Sequence, residues 1–319
     1  MRNGYESSIQ DGIRASRNFT RFTRGRKGFE ESLTALREAI DSADRIVVGA
    51  GAGLSTAAGF TYSGERFDSY FSDFRDRFGI TDMYRGGFYK FPSEEVLWAW
   101  WSRHIYVNRY VDPPKDVYGD LLSVLDRKDY FVVTTNVDHQ FQRAGIDRDR
   151  LFYTQGDYGL FQRADGKGGC TYDNEDFVMS AMEAQGFVRD GKGEFVMPRG
   201  SAPLMEIPTS MIPRGPDGEE LTMNLRSDDR FVEDDGWRAA SERYYDYLQG
   251  CKGKRTLFLE IGVGFNTPVI IKFPFWQMTY DNPDSIYACI NFDDAVCPVD
   301  IEGRSICIKG DAADVIGRL

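Results

Sequence analysis

Histidine is almost missing from this chain: His104 and His139 are the two in 319 residues. Imidazole is the side chain whose ordinary pKa lies nearest neutrality, so its scarcity narrows the acid–base mechanisms available. Cysteine is thin as well, with Cys170, Cys251, Cys289, Cys297 and Cys307 forming an odd set that contains no Cys-x-x-Cys pair. That set fits a reducing compartment, here the cytoplasm, and argues against both a disulfide framework and a thiolate zinc knuckle. No uninterrupted apolar run approaches the roughly 18 residues of a membrane span, and no apolar signal-peptide core precedes the first expected element. A membrane span and secretion are both disfavoured.

Positive charge is in deficit. The formal net charge of −11 argues against non-specific binding of nucleic acid by the body of the protein. The basic exceptions crowd into residues 1–28, where Arg2, Arg14, Arg17, Arg21, Arg24, Arg26 and Lys27 face only Glu6 and Asp11. Such a segment is expected to be a solvated, disordered terminus. A transit peptide would also be rich in arginine, but the two acidic residues and the lack of a clear amphipathic pattern weaken that reading.

What the chain does contain is enough apolar sequence, 41% over 319 residues, to bury one large domain or two smaller ones. The organising stretch is 45–59, RIVVGAGAGLSTAAG, in which an apolar run passes into glycines and then a small-residue helix start. It reads as the first strand, turn and helix of a dinucleotide-binding unit. Gly49, Gly51 and Gly53 would let the backbone approach a pyrophosphate, with free N–H groups of the helix start and the Ser55 hydroxyl as donors. The spacing is Gly-x-Gly-x-Gly, not the hydride-transfer Gly-x-Gly-x-x-Gly, and a tight bend alone would use the same residues.

Leu33, Leu36, Ala39 and Ile40 place an amphipathic helix over 30–44, before that strand. A loop follows at 60–67. Residues 68–110 are helical and rich in aromatics, among them Tyr70, Phe71, Phe74, Trp98, Trp100, Trp101 and Tyr106, which suits a packed helical module with His104 as a structural residue. Further strands are expected at 130–135, 151–154, 256–261, 285–290 and 304–308, the first three after helical sequence. Their ends carry Asn136-Val-Asp138, Gln155-Gly-Asp157, Gly262-Val-Gly264-Phe-Asn266-Thr-Pro268 and Asn291-Phe292-Asp-Asp294, while Gly310-Asp311 opens a last helix at Ala312. Strands alternating with helices predict an α/β fold, a Rossmann-like doubly wound parallel sheet whose polar strand tips share one edge. Its parts would be about 29–67, 116–162 and 237–319, with a helical module at about 68–115 and a small loop-rich module at about 163–236, held by short strands such as Leu221–Leu225.

Taken in order, Gly51-Ala-Gly-Leu-Ser55, Thr135-Asn-Val-Asp138, Gln155-Gly156, the 262–268 turn, Ile290-Asn291 and Gly310-Asp311 resemble the motifs of the sirtuin family over roughly residues 30–319. The resemblance implies a Rossmann-like domain with a helical and a small module and NAD as cosubstrate. It implies that Gly51, Ala52, Gly53 and Ser55 line the pyrophosphate, that Asn136 and Asp138 face the nicotinamide end, and that Gly262, Gly264, Asn266, Asn291 and Phe292 hold the adenosine half beside Asp311 and Ala312. Phe60, Tyr62 and Arg66 would lie over the nucleotide.

Three departures carry more information than the matches. Deacylating sirtuins have His-Gly where this chain has Gln155-Gly156, and an amide cannot take up a proton near neutrality. Their zinc thiolates are replaced by Arg163-Ala-Asp-Gly166 and Gly215-Pro-Asp-Gly218, which implies no structural zinc. The loop reads Gly59-Phe-Thr-Tyr-Ser-Gly64. Together these resemble the macrodomain-linked branch of the family, for which the implied activity is protein mono-ADP-ribosylation with a lipoyl-carrier protein of the glycine-cleavage type as acceptor and a macrodomain hydrolase as functional partner. In that scheme Asn136 orients the ribose, Gln155 hydrogen-bonds its hydroxyls, and Asp157 stabilises charge or takes the nucleophile's proton. Two alternatives stay open: an NAD-dependent deacylase or glycohydrolase, and a non-enzymatic module that binds NAD or ADP-ribose. Asn136 also suits a helix N-cap, and Asp157 suits a loop that satisfies backbone N–H groups.

Overall fold

A computed structural model describes residues 3–25 and 27–319. Arg2 and Arg26 of the basic segment lie outside the described residues. The chain divides into two compact units, residues 1–59, 114–156 and 233–319, and residues 60–113 and 157–232.

The first unit is built on a six-stranded sheet in the order Ser305–Lys309, Ile286–Asn291, Thr256–Ile261, Arg45–Ala50, Tyr130–Thr134, Leu151–Tyr153. Every neighbouring pair is parallel. Such strands are covered on both faces, which is why they read as continuous apolar runs: Ile46, Val47 and Val48 are fully buried. From Arg45–Ala50 the chain first builds outwards on one side, then returns to build on the other, so the topological switch lies between Arg45–Ala50 and Thr256–Ile261. Open α/β sheets bind ligands outside the strand ends at such a point. The helix Lys272–Asp281 covers this region closely enough that a Cβ on Gly49 would stand 2.3 Å from Ile271 Cγ2.

The basic terminus corrects an expectation. Gly4–Asn18 is a helix, capped by Asn3 Oδ1 accepting from the N–H groups of Tyr5 and Glu6. Its buried stripe is Gly4, Ser8, Gly12 and Ala15, and an added Cβ would meet Ser241 O at Gly4 and Val269 O at Gly12, each at 2.3 Å. Small residues one turn apart let this helix lie flat on Asp235–Gln249 and Lys272–Asp281. A hydropathy pattern does not register such a stripe.

The second unit joins the expected helical module to most of the expected small one. Arg103, wholly buried, links them: its guanidinium donates to Asp73 Oδ1 at 2.8 Å and Gln185 Oε1 at 2.7 Å, and to the carbonyls of Tyr70 and Leu204. Phe71 and Phe74 pack on Trp100. The expected strand Leu221–Leu225 joins a three-stranded sheet with Gly156–Arg163 and Thr171–Asp173, where the sequence suggests loops, and a helix follows at Glu175–Ala184. The two loops that stand in place of the zinc pairs are tied by the Arg163–Glu219 ion pair at 3.4 Å and by Ala164 N–H donating to Glu220 O at 2.9 Å. Among the described residues, no three His, Cys, Asp or Glu side chains are grouped as a metal ion requires, and no helix is long and apolar enough to cross a membrane.

Candidate active site

In the first unit the strand ends at the switch point interlock through their glycines. Gly51 N–H donates to Ile261 O at 3.0 Å, Gly53 N–H to Gly262 O at 2.9 Å, and Gly262 N–H to Ile290 O at 2.9 Å. A Cβ on Gly53 would lie 2.6 Å from Gly262 Cα, one on Gly51 2.8 Å from Gly262 O, and Gly262 itself has φ +64°. The expectation of free N–H groups is therefore corrected at Gly51 and Gly53: the two glycine turns spend these donors on each other. The helix that follows, Ala52–Ala57, is short, with Leu54 N–H already bonded to Gly51 O. Gly264 is different, since a Cβ there meets open space.

Beneath these turns lies a buried polar cluster. Ser55 Oγ donates to Asp138 Oδ2 at 2.5 Å and stands 3.0 Å from the Tyr118 hydroxyl. Asn136 Nδ2 donates to Gly51 O at 3.1 Å and lies 3.5 Å from Tyr118 Oη, while Asn136 N–H donates to Thr134 Oγ1. Ser55, Asn136 and Asp138 are each less than a tenth exposed. Ser55 thus serves Asp138, which corrects its expected use as a donor to an anion. With its N–H groups committed to Gly51 and Tyr118, the Asn136 amide has its Oδ1 acceptor left for other work. Sequence reasoning missed Tyr118, which sits on the helix Val117–Leu125 and reaches the cluster only through the tertiary fold.

The remaining expected residues of this unit spread along the same strand ends. Gln155 is half-buried in the turn after Leu151–Tyr153, before Gly156 at φ +95°. Asn291 Nδ2 donates to Val263 O at 3.0 Å, and its Oδ1 accepts from the N–H groups of Asp293 and Asp294, so its side chain shapes the adjoining loops. Phe292 and Asn266 are exposed, Ala312 is buried, and Asp311 is the N-cap of Ala312–Ile316, accepting from Ala313 N–H at 2.7 Å.

Four expected residues belong to the second unit. Asp157 Oδ1 accepts from Arg109 Nε at 2.9 Å and from Gly159 N–H at 2.7 Å. Arg109 comes from the π-helical turn Tyr106–Tyr110, a distortion that concentrates at functional sites. Arg66 stacks over the buried Phe60 ring and donates to Thr61 O, Asn108 Oδ1 and Val107 O, so its guanidinium is engaged within its own unit. Tyr62 Oη lies 3.0 Å from Tyr158 Oη, which lies 3.0 Å from His104 Nε2. Arg109 and Tyr158 were not anticipated; Tyr158 adjoins Asp157 in sequence, but no spacing marks Arg109.

No family model matches the chain. It is 35% identical over 283 residues to the protein ADP-ribosyltransferase of Staphylococcus aureus strain Mu50, a match covering 88% of this chain and 84% of that one. It is 29% identical over 304 residues to a probable bifunctional ADP-ribose hydrolase/ADP-ribosyltransferase of Fusarium oxysporum, of whose length it spans 47%. Among solved structures, a Sir2 homologue in complex with NAD matches with TM-score 0.55 at 15% identity, covering 89% of this chain and 91% of that one. A structure bearing on the mechanism and regulation of Sir2 enzymes matches with TM-score 0.54 at 17% identity, covering 91% and 96%. At these identities the solved structures establish the fold. The chain belongs to the protein ADP-ribosyltransferases of the sirtuin fold, enzymes that take ADP-ribose from NAD.

Proposed function

We propose that this chain transfers a single ADP-ribosyl unit from NAD to a lipoyl-carrier protein of the glycine-cleavage type and releases nicotinamide. The observation that carries the reading is Gln155, an amide at the strand-end turn where the deacylating relatives place an imidazole. Amides and hydroxyls at the switch point fit a dinucleotide, since Asp138, the acid among them, is turned onto Ser55. NAD supplies a glycosidic bond whose cleavage leaves positive charge at C1′ of the ribose and frees neutral nicotinamide.

Asn136 Oδ1, held by the two donors' worth of contacts on its Nδ2, accepts from a ribose hydroxyl and supports the developing charge. Gln155 hydrogen-bonds the ribose hydroxyls without deprotonating them, which favours capture by an outside nucleophile over attack through the ribose. Asp157, fixed by Arg109, contributes negative charge and a proton acceptor for the incoming nucleophile. Gly264, Asn266, Asn291, Phe292, Asp311 and Ala312 make the adenosine contacts. A macrodomain hydrolase is the proposed counterpart that removes the mark; the Fusarium relative's name joins both activities.

The test is intact-mass spectrometry of a lipoylated carrier incubated with this chain and NAD, beside an acyl-lysine peptide and with free nicotinamide followed. One added ADP-ribosyl unit, lost with Asn136→Ala, is expected. Deacylated peptide with an unmodified carrier would refute the proposal, as would binding of NAD with no nicotinamide released.

A further inference from the structure

We propose that Cys297 and Cys307 are a redox-active dithiol, which a small peroxide converts into an intrachain disulfide. The inference is independent of the NAD chemistry given above. Both residues belong to the first unit. Cys297 opens the short strand Cys297–Pro298, a 3₁₀ turn covers Val299–Arg304, and Cys307 is the middle residue of Ser305–Lys309, the edge strand of the six-stranded sheet. The turn folds the chain back so that the two thiols are hydrogen-bonded to one another. The segment 22–25 reports the same closeness from its own side: Thr23 is the antiparallel register partner of Cys297, and a Cβ on Gly25, two residues on, would stand 3.8 Å from Cys307 Cβ. A disulfide asks for two cysteine side chains that already meet, and these do.

The other thiols are differently placed. Cys251 Sγ donates to Tyr247 O at 3.4 Å, and Cys170 is exposed beside the Tyr172 hydroxyl. Cys289 is the register partner of Cys307 on the adjoining strand, but its thiol is turned to Glu260 Oε1 at 3.3 Å. Cys297 is fully buried, whereas Cys307 is half-exposed and lines a cleft of about 670 Å³ with Gly25, Ala35, Ala39 and Arg304. The oxidant therefore meets Cys307 first. The hydrogen bond from the Cys307 thiol lowers the pKa of Cys297, so the first proton of the pair leaves from Cys297. The Cys307 proton then passes along that bond to the Cys297 sulfur while the Cys307 sulfur attacks a peroxide oxygen. The O–O bond breaks, hydroxide leaves, and Cys307 carries a sulfenic acid. The Cys297 thiol next attacks the Cys307 sulfur: the S–S bond forms, the S–O bond breaks, and the hydroxyl departs as water with the thiol proton. The dithiol gives up two electrons and the peroxide takes them.

The test treats the dilute, reduced full chain briefly with hydrogen peroxide, blocks the remaining thiols with iodoacetamide in urea, and maps tryptic peptides without reduction. Cleavage after Lys272, Arg304 and Lys309 leaves Cys289 and Cys297 on residues 273–304 and Cys307 on residues 305–309. The expected product is 305–309 joined to 273–304, with fragmentation placing the bond at Cys297, the alkyl group on Cys289, and the joined peptide lost on treatment with dithiothreitol. In Cys297→Ser the joined peptide should vanish and dimedone should trap a sulfenic acid on Cys307, while Cys289→Ala should leave the joined peptide in place. Alkylated thiols at both Cys297 and Cys307 after peroxide, or a bond from Cys307 to Cys289 or Cys170, overturns the proposal. The wild-type map alone decides it, so a variant that fails to fold leaves the proposal open to refutation.

Discussion

Replacing Lys272 by Met should destabilise this protein far more than a lysine-to-methionine change usually does. Lys272 Nζ and Glu260 Oε1 are 2.5 Å apart and both side chains are fully buried. Tyr287 donates to Glu260 Oε2 at 2.8 Å and the Cys289 thiol lies 3.3 Å from Oε1. Removing the ammonium leaves a carboxylate inside the sheet with two neutral donors and no counter-charge, a loss of about 3–5 kcal/mol. For a unit of this size that corresponds to roughly 6–20 °C in melting temperature. Lys272→Met/Glu260→Gln removes both charges, keeps an acceptor for Tyr287, and should recover most of the loss. Burial by itself would lower the Lys272 pKa, but the charge of Glu260 and the neighbouring Cys289 hold it above the ordinary value. The stabilisation is therefore complete below about pH 10 and fades only as pH climbs through that raised value. Urea denaturation at pH 7 and pH 9 should give the same difference between wild type and Lys272→Met. A loss under about 1 kcal/mol, or a double variant no more stable than the single, would refute the reasoning.

Gly53→Ala should lower the melting temperature and abolish nicotinamide release, because its Cβ would stand 2.6 Å from Gly262 Cα, whereas Gly264→Ala, in open space, should fold like wild type; circular dichroism melts compare the two. Arg109→Met removes the ion pair at the buried Asp157 carboxylate, so a loss of about 3 kcal/mol in urea is expected, together with reduced transfer. His104 has its folded pKa depressed to about 3, so the unfolded chain takes up a proton first as pH falls below about 6.5. Between about pH 6 and pH 4 the wild type should lose about 1.4 kcal/mol per pH unit more than His104→Gln in urea titrations, and equal slopes would dismiss the buried neutral ring.

How much of this was legible in the sequence depends on whether a residue acts through its neighbours in sequence or in space. Strands buried on both faces write continuous apolar runs, so Arg45–Ala50, Tyr130–Thr134 and Thr256–Ile261 could be placed within a residue, and with them the polar ends that carry Asn136, Asp138 and Gly262. The use of those ends was less legible. Gly51 and Gly53 read as donors to a ligand because nothing local reveals that Ile261 O and Gly262 O consume their N–H groups. Tyr118 and Arg109 belong to helices whose sequence shows only packing, and their roles arise from what the fold brings opposite them. The strand Gly156–Arg163 was hidden because two glycines and an aspartate break its alternation.

The terminal helix Gly4–Asn18 has a consequence for how the chain comes into being. Its partners are synthesised much later: Ser241, which donates to Asn3 Oδ1 at 2.9 Å, lies 238 residues downstream. At a translation rate of roughly 5–20 residues per second, the helix waits on the order of 12–48 s for the surface it covers. The stripe of Gly, Ser and Ala that meets those partners carries little apolar surface, so that little of it is left uncovered during the wait. The same small residues that let the helix sit close at the end let it stay solvated at the beginning.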